Sequence, residues 1–180
     1  MKLREANFEE QLLKIKNLYY SSFPKDEQKP FAIILKKRDE GLIEIFSIEN
    51  ESGDFMGLAI TVLHKDIVLL DYFAIVESAR GNGSGSRVLE LLYKKYWNKR
   101  LILEIESTRL QAGNLEERIL RKNFYIKNGM AVMPFMVNLF GVVMEILTYR
   151  CDMDYKEYIQ VYRSVFGNKI CNNIKLAAQD

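Results

Sequence analysis

Three glycines at alternate positions follow an apolar segment and lead into a helical pattern. They are Gly81, Gly83 and Gly85, in the string Arg80-Gly-Asn-Gly-Ser-Gly-Ser86. Glycine adopts left-handed backbone conformations at little cost and leaves the backbone N–H groups uncovered. At the start of a helix, such N–H groups and the helix dipole bind anions. The string therefore predicts a site for a phosphate-bearing ligand.

Acidic residues inside apolar segments are the second chemical signal. Glu104 and Glu106 are two positions apart in the run Leu101–Glu106, so in a strand their side chains point to the same face. A buried carboxylate is costly unless it is paired or used. Two hypotheses stay open: a general base or an anchor for a cationic amine, or pairing with Arg109, Arg118 or Arg121. Asp71, inside another apolar run, allows a similar choice.

Two familiar glycine-loop classes fit this string poorly. A P-loop ends in Gly-Lys-Ser/Thr, whereas Gly85 is followed by Ser86 and an arginine. A dinucleotide fingerprint needs a further Gly or Ala where the chain has Ser86 or Val88. Three antiparallel strands are also predicted before the loop, which is unlike a doubly wound sheet. A nucleotide-binding oxidoreductase stays as the weaker alternative.

The elements around these residues follow from hydrophobic periodicity. Apolar runs bounded by turns predict strands, and apolar residues at helical spacing predict helices. The predicted strands are Leu3–Asn7, Leu42–Ile48, Phe55–Leu63, Ile67–Val76, Leu101–Glu106, Met130–Phe140 and Val142–Tyr149. Three predicted helices have the apolar faces Phe8/Leu12/Ile15/Tyr19, Val88/Leu91/Leu92/Tyr96 (ending around Asn98) and Leu115/Ile119/Leu120/Phe124. Two more are predicted as a short helix over Phe31–Lys37 and an amphipathic helix over Tyr155–Phe166. The last dozen residues are polar and predict a loose tail.

Composition excludes several classes of protein. The 180 residues suit one domain, and 26 basic against 24 acidic residues give a net charge of +2, which favours no nucleic acid. There is no apolar run of about eighteen residues, so no membrane span is expected. Cys151 and Cys171 form no metal motif and favour a reducing, cytoplasmic location. His64 is the single histidine, so no metal site is predicted.

The loop and two later features together resemble the GNAT family, the Gcn-related N-acetyltransferases. Arg80-Gly-Asn-Gly-Ser-Gly85 is similar to the R-x-x-G-x-G string of the family's acyl-CoA pyrophosphate loop. Phe124-Tyr125-Ile-Lys-Asn-Gly129 is similar to the F-Y-x-x-x-G-F ending of a later helix, with Met130 in place of the usual Phe. Leu103–Glu106 is similar to the family's L-E-V strand. The resemblance covers about residues 3 to 150 in the order of elements.

The resemblance implies a fold and a domain plan. The fold class is α/β (α+β): a GNAT-like mixed, mostly antiparallel central sheet of about seven strands with helices on both faces. Residues 1–150 would form the acetyltransferase domain, and residues 151–180 a C-terminal helical extension packed on the same domain.

The resemblance also implies a reaction. The chain would transfer an acetyl group from acetyl-CoA (coenzyme A) to a primary amine by direct attack, with no acyl-enzyme. The acceptor would be a small-molecule or peptide amine, no nucleic acid or membrane would take part, and a homodimer is allowed for. The alternative is a non-catalytic acyl-CoA-binding or sensor module on the same fold.

Site residues follow from the matched motifs. In the family the pantetheine arm lies along the strand before the loop, so backbone N–H groups of residues 73–76 would stabilise negative charge on the thioester oxygen. The Tyr125 phenol would act as a general acid towards the sulfur, the alternative being a core tyrosine. Glu104 and Glu106 would be the base candidates. The implied cofactor contacts are Phe73, Ala74, Ile75, Val76, Arg80, Gly81, Asn82, Gly83, Ser84, Gly85, Ser86, Asn114 and Tyr125, and the implied acceptor contacts are Tyr19, Phe23, Glu27, Phe31 and Asp71. The alternatives are core packing for Tyr19, from its helical spacing, a solvated charge for Glu27, and a loop or cap position for Asn114.

Overall fold

The computed structural model describes residues 1–177, which form two compact units. The first unit comprises Met1–Leu63 and Leu70–Trp97, and the second comprises His64–Leu69 and, of the described residues, those from 98 to 177. The described strands are β1 (Lys2–Glu5), β2 (Ile43–Glu49), β3 (Phe55–His64), β4 (Ile67–Ile75), β5 (Arg100–Glu106), β6 (Met130–Leu139), β7 (Val142–Tyr149) and β8 (Ile174–Leu176). The described α-helices are α1 (Glu9–Ser22), α2 (Phe31–Asp39), α3 (Ser84–Lys95), α4 (Leu115–Lys127), α5 (Tyr155–Phe166) and α6 (Asn168–Cys171).

Strands of the first unit run in the order β1, β2, β3 and β4. β1 pairs antiparallel with β2, and β2 pairs antiparallel with β3, where Ile45 faces Ile60. The β2–β3 hairpin closes because the Asp54 N–H donates to the Asn50 side chain at 2.9 Å and Gly53 takes a positive φ of 90°. The meander predicted before the glycine loop is therefore present.

Helix α1 buries only part of its predicted apolar face. Ile15 and Tyr19 of α1 are fully buried, and so is Ile34 of α2. Phe8, predicted on the same face as Ile15, is the N-cap residue instead and is 72% exposed. The helix starts one residue later than the apolar pattern, so Phe8 lies outside the helical periodicity.

Helix α3 begins immediately after the second glycine of the loop. Gly83 is its N-cap, and Val88, Leu89 and Leu92 form its buried face. The helix ends at Lys95, three residues before the predicted end around Asn98. The glycine loop is thus held between β4 and a helix anchored by its apolar face.

Strands of the second unit run in the order β5, β7, β6 and β8. β7 pairs antiparallel with both β5 and β6, so it lies between them in the sheet. The Arg100 N–H donates to the Asp66 carbonyl at 2.8 Å and ties the start of β4 to β5. Helix α5 begins with a capping box, in which the Glu157 N–H donates to the Asp154 side chain.

The predicted apolar face of α4 is wrong. Leu120 is 69% exposed, and Tyr125 is the buried residue of this helix. Basic residues of α4 instead reach carboxylates on the strands: Arg118 contacts Glu106, and Lys122 contacts Glu145. Ion pairs therefore take the place of an apolar stripe, and a hydrophobic pattern does not predict them.

The predicted loose tail is wrong for the residues up to 177. After α5 the chain forms α6 and then β8, which pairs antiparallel with β6. The Ala177 N–H donates to the Met136 carbonyl at 2.9 Å and extends this edge. Ile174 and Cys171 are buried, which gives the segment its own small core contribution. The rest of the predicted tail, residues 178–180, lies outside the described residues.

The predicted fold class is confirmed as a mixed, mostly antiparallel α/β arrangement, with eight strands among residues 1–177 instead of about seven. The extra strand is β8. Among residues 1–177, no helix is long and apolar enough to cross a membrane.

Candidate functional site

The glycine loop has the backbone geometry of an anion site. Gly81 and Gly83 both adopt left-handed conformations, with φ of 81° and 73°. A Cβ built on either residue would meet no atom within 4 Å, so the loop is open towards solvent. This open, side-chain-free surface has room for phosphate oxygens close to the backbone.

The start of α3 adds a positive field to the loop. The first N–H groups of a helix have no partner within the helix, and here they belong to Ser84, Gly85 and Ser86. The first intrahelical bond runs from the Arg87 N–H to the Gly83 carbonyl at 3.1 Å. The first turn contains no acidic residue. An anion at this position would meet both N–H donors and the helix dipole.

Arg80 is held at the end of β4. Its Nε donates to the Ile75 carbonyl at 2.9 Å, while the residue as a whole remains exposed. The guanidinium thus fixes the turn into the loop and leaves its outer edge at the surface. Asn82 is exposed, and Ser84 is buried at the helix start.

The strand before the loop carries the proposed thioester contacts. Ala74 and Ile75 are buried, and Phe73 and Val76 are partly exposed. The Val76 N–H donates to the Met56 carbonyl at 2.9 Å, so this amide is already used in the first unit. Gly57 of β3 faces this strand so closely that a Cβ would lie 2.3 Å from the Ala74 carbonyl oxygen. Glycine at position 57 is therefore required for the close approach of β3 and β4.

The predicted acceptor residues of the first unit form an aromatic cluster. Tyr19 contacts Phe23, Phe31 and Tyr72, with ring centroids 5.7, 5.6 and 4.7 Å away. Tyr19 is fully buried, and burial raises the pKa of its phenol. Its hydroxyl donates to the Lys29 carbonyl at 2.9 Å. Tyr19 thus acts as the centre of the cluster, in line with the core packing expected from its helical spacing.

The loop after α1 is tied to β4 by Tyr72. The Tyr72 hydroxyl donates to the Glu27 carbonyl at 2.8 Å and accepts from the Lys29 N–H at 3.1 Å. The Lys29 ammonium contacts both Asp71 carboxylate oxygens, at 2.7 and 3.0 Å. Asp71 is therefore paired within the protein. Sequence reasoning missed Lys29 and Tyr72, although Tyr72 stands next to Asp71.

Glu104 accepts hydrogen bonds from two tyrosines of α5. The Tyr158 hydroxyl donates to Glu104 at 2.6 Å, and the Tyr162 hydroxyl lies 2.9 and 3.0 Å from the two carboxylate oxygens. Both tyrosines are fully buried, and they are four positions apart on one helix face. The carboxylate therefore attaches α5 to β5.

Glu106 pairs with the arginines of α4, as the structural hypothesis for this residue requires. Arg118 lies 2.5 Å and Arg121 3.5 Å from its carboxylate. The Asn114 side chain donates to it at 3.4 Å and accepts from Arg118 at 2.8 Å. The backbone N–H of Arg109, the third candidate partner, donates to the Ser107 hydroxyl at 3.2 Å. Glu104 and Glu106 thus have different partners.

Glu145 of β7 is a buried carboxylate that the sequence analysis did not single out. Its side chain is 0% exposed and lies 2.5 Å from the Lys122 ammonium. The Thr108 N–H and hydroxyl both donate to it at 2.7 Å. Burial alone would raise the pKa of Glu145, but the bonds from Lys122 and Thr108 outweigh it and lower the pKa. The residue fixes both α4 and the loop that precedes it.

Tyr125 is buried within the second unit. Its ring packs against Phe124 with centroids 5.1 Å apart. Burial raises the pKa of its phenol to about 12, against a smaller opposing effect of Arg121. The hydroxyl is therefore protonated near neutral pH and is available as a hydrogen-bond donor.

Solved acetyltransferase structures match most of the chain. A protein from Bacteroides thetaiotaomicron assigned to the GNAT family is 17% identical, with a TM-score of 0.76, and the match covers 93% of this chain and 99% of that one. A spermidine N-acetyltransferase from Vibrio cholerae, in complex with CoA and spermine, is 13% identical with a TM-score of 0.63, covering 88% and 97%. An aminoglycoside 6'-N-acetyltransferase complexed with coenzyme A is 15% identical with a TM-score of 0.62, covering 82% and 96%. No protein-family model and no curated protein matches the chain.

These matches define the class of fold. The chain has the fold of the acetyltransferases, and more narrowly that of the GNAT family, which the glycine string and the Phe124-Tyr125 motif predicted. The residues of the glycine loop also fit a phosphate-bearing cofactor, since Gly81 and Gly83 leave open space where any other residue would place a Cβ.

Proposed function

We propose that the protein is an N-acetyltransferase that uses acetyl-CoA and acetylates a primary amine. The observation that carries the proposal is the open glycine loop at the start of α3, with Gly81 and Gly83 in left-handed conformations. Structures of the same fold with CoA bound support the choice of cofactor. When bound, acetyl-CoA supplies the acetyl thioester that the acceptor amine attacks directly.

The loop would hold the pyrophosphate of the cofactor. Backbone N–H groups of residues 81–86 would donate to the phosphate oxygens, with Asn82 and Ser84 at its sides and the α3 dipole behind them. Arg80 would add charge at the rim, because its Nε is fixed on the Ile75 carbonyl. Backbone N–H groups of Phe73 and Ile75 would orient the acetyl group, since the Val76 N–H is already used and the Ala74 backbone faces β3 as well.

Tyr125 would be the residue that assists departure of the thiolate. A phenol with a pKa of about 12 is a weaker acid than a thiol, whose reference pKa is about 8.5. Complete proton transfer from Tyr125 would therefore be uphill, and its main contribution would be a hydrogen bond to the developing thiolate. A hydrogen bond to a charged group contributes about 1.5–3 kcal/mol.

Glu104 and Glu106 would serve as supports in this scheme. Glu104 is held by two tyrosines and Glu106 by two arginines, so neither is a simple solvent-facing base. The acceptor amine would then lose its proton to water. Asn114, bonded to Glu106 and Arg118, would fix the start of α4, which carries Tyr125.

The acceptor would be a small or peptide amine bound along the aromatic cluster of the first unit. Solved structures of the same fold include spermidine and aminoglycoside acetyltransferases, and these support a small amine as the acceptor class. Phe23, Phe31 and Tyr72 would contact its apolar part, with Glu27 at the edge of the cluster.

A second candidate is a non-catalytic acyl-CoA-binding module on the same fold. The observation that favours it is the pairing of both Glu104 and Glu106 within the protein, because neither carboxylate is left as an evident base. Thiol release from acetyl-CoA in the presence of a panel of amines separates the two candidates. Amine-dependent release supports the transferase, whereas saturable CoA binding without release by any amine supports the binding module.

The Tyr125→Phe variant tests the proposed donor. If Tyr125 stabilises the leaving thiolate, kcat should fall roughly 10- to 100-fold, with little change in KM for acetyl-CoA. Phe124→Leu, next in sequence, is the matched control and should keep kcat within about twofold. An unchanged kcat in folded Tyr125→Phe would assign this residue to packing alone.

A further inference from the structure

Lys29 lies in a cation site that the protein builds from its own residues. Its ammonium is 2.7 and 3.0 Å from the two Asp71 oxygens and 5.1 Å from the centroid of the Tyr72 ring. The Asp71 side chain is 2% exposed, and that of Lys29 is 18% exposed. A carboxylate beside an aromatic face is an arrangement that binds ammonium groups.

The backbone of Lys29 is fixed, so the position of its ammonium is not incidental. The Lys29 N–H donates to the Tyr72 hydroxyl at 3.1 Å, and its carbonyl accepts from the Tyr19 hydroxyl at 2.9 Å. The Tyr72 hydroxyl in turn donates to the Glu27 carbonyl at 2.8 Å. Two of these hydrogen bonds hold the loop against β4 and the third holds it against α1, and together they present the ammonium to Asp71.

The cation site lies close to the strand segment that would orient the acetyl group. Asp71 is two residues before Phe73 on the same face of β4, which corresponds to about 7 Å along the strand. An acceptor whose amine reacts near Phe73 could therefore place a second cation, a few bonds away, against Asp71. In this protein the Lys29 ammonium already takes that position.

We propose that Lys29 determines acceptor specificity by occupying the cation site of Asp71 and Tyr72. The inference rests on the proposed acetyl transfer for the position of the acceptor. An acceptor with a second ammonium about 7 Å from its reacting amine would be repelled, because the Asp71 charge is already neutralised and the Lys29 ammonium has the same charge as the acceptor. The preferred acceptor is then an amine without a second cation at that position. Like-charge exclusion of this kind gives specificity by repulsion.

Removing the Lys29 ammonium should turn the Asp71 and Tyr72 site into one that binds the second ammonium of a diamine. In Lys29→Met the buried Asp71 carboxylate loses its partner, and a bound diamine can restore the pair. Titration calorimetry with 1,4-diaminobutane should show roughly tenfold tighter binding to Lys29→Met than to the wild type, as expected for one charge-assisted hydrogen bond. Lys29→Arg keeps the cation and should bind the diamine as weakly as the wild type.

The double variant Lys29→Met/Asp71→Asn is the decisive control, because it removes the carboxylate and should lose the gain. If folded Lys29→Met binds the diamine no better than the wild type, or if the double variant keeps the gain, the inference is overturned. If Lys29→Met does not fold, Lys29→Gln takes its place in the same comparison. Failure of the proposed function is distinguishable, because it appears as no thiol release by the wild type with any amine, while these binding differences are still measured.

Where acetyl transfer is measured, the variant should also show a split in kinetic constants. The KM for 1,4-diaminobutane should fall about tenfold in Lys29→Met, whereas the KM for 1-aminobutane should fall less, since its only amine must be neutral to react. A purely structural role of Lys29 would change both acceptors alike.

Discussion

A valine at position 83 should weaken CoA binding while the protein stays folded. Gly83 has φ of 73°, and a Cβ there meets no atom within 4 Å, so the cost of substitution is backbone strain and not a clash. Left-handed backbone costs an L-residue about 1–2 kcal/mol, and a β-branched side chain is at the upper end. For a domain of this size, the melting temperature should fall by roughly 4–8 °C.

The effect on binding has a different origin. The valine side chain would fill the open surface that we assign to the phosphates, so CoA should bind at least about tenfold more weakly, a loss of about 1.4 kcal/mol or more. Isothermal titration with CoA measures this directly, and circular dichroism confirms that the variant is folded.

Gly41 offers a matched control for the strain. Its φ is 74°, and a Cβ built on it would also meet no atom within 4 Å. Gly41 lies just after α2, however, and not in the glycine loop. Gly41→Val should therefore lower the melting temperature by a similar amount and leave CoA affinity unchanged. If Gly83→Val binds CoA like the wild type, or if Gly41→Val loses as much affinity, the assignment of the phosphate loop is refuted.

Three further predictions concern the second unit. Glu145→Gln should lower the free energy of unfolding by about 3–5 kcal/mol in urea at pH 7, because the Lys122 charge loses its buried partner. The pKa of Glu145 is lowered in the folded state, so its stabilisation is present above about pH 4.5 and is lost as the pH falls through the folded-state pKa. The gap between wild type and Glu145→Gln should therefore shrink as the pH falls through the folded-state pKa, and a constant gap would contradict the argument. Asp154→Ala should cost about 1 kcal/mol by removing the cap of α5, with Asp154→Asn close to wild type in thermal melts. Tyr162→Phe should cost about 1–3 kcal/mol in urea by removing a hydrogen bond to Glu104, and an unchanged midpoint would assign Tyr162 to packing only.

Strong local signals made much of the fold predictable. The strands of the meander and the position of the glycine loop follow from apolar runs and turn residues, and all are present. β8 was missed because Ile174–Leu176 is only three residues long and lies in a polar segment. A strand that short is stabilised by its pairing with β6, which hydrophobic periodicity does not report.

The partners of the charged residues were much less predictable. The sequence marks Glu104, Glu106 and Asp71 as unusual, but their partners lie 54, 12 and 42 positions away in the chain, at Tyr158, Arg118 and Lys29. Glu145 gave no signal, because a single acid in a strand also fits an exposed position. Long-range pairs of this kind depend on the register of strands and helices, which only the folded chain fixes.

The central claim is that the glycine loop binds acyl-CoA. Isothermal titration of the wild-type protein with acetyl-CoA, and with NAD in a parallel experiment, tests it most directly. We predict saturable one-to-one binding of acetyl-CoA and none of NAD at the same concentrations. Absence of acetyl-CoA binding, or comparable binding of NAD, would contradict the claim.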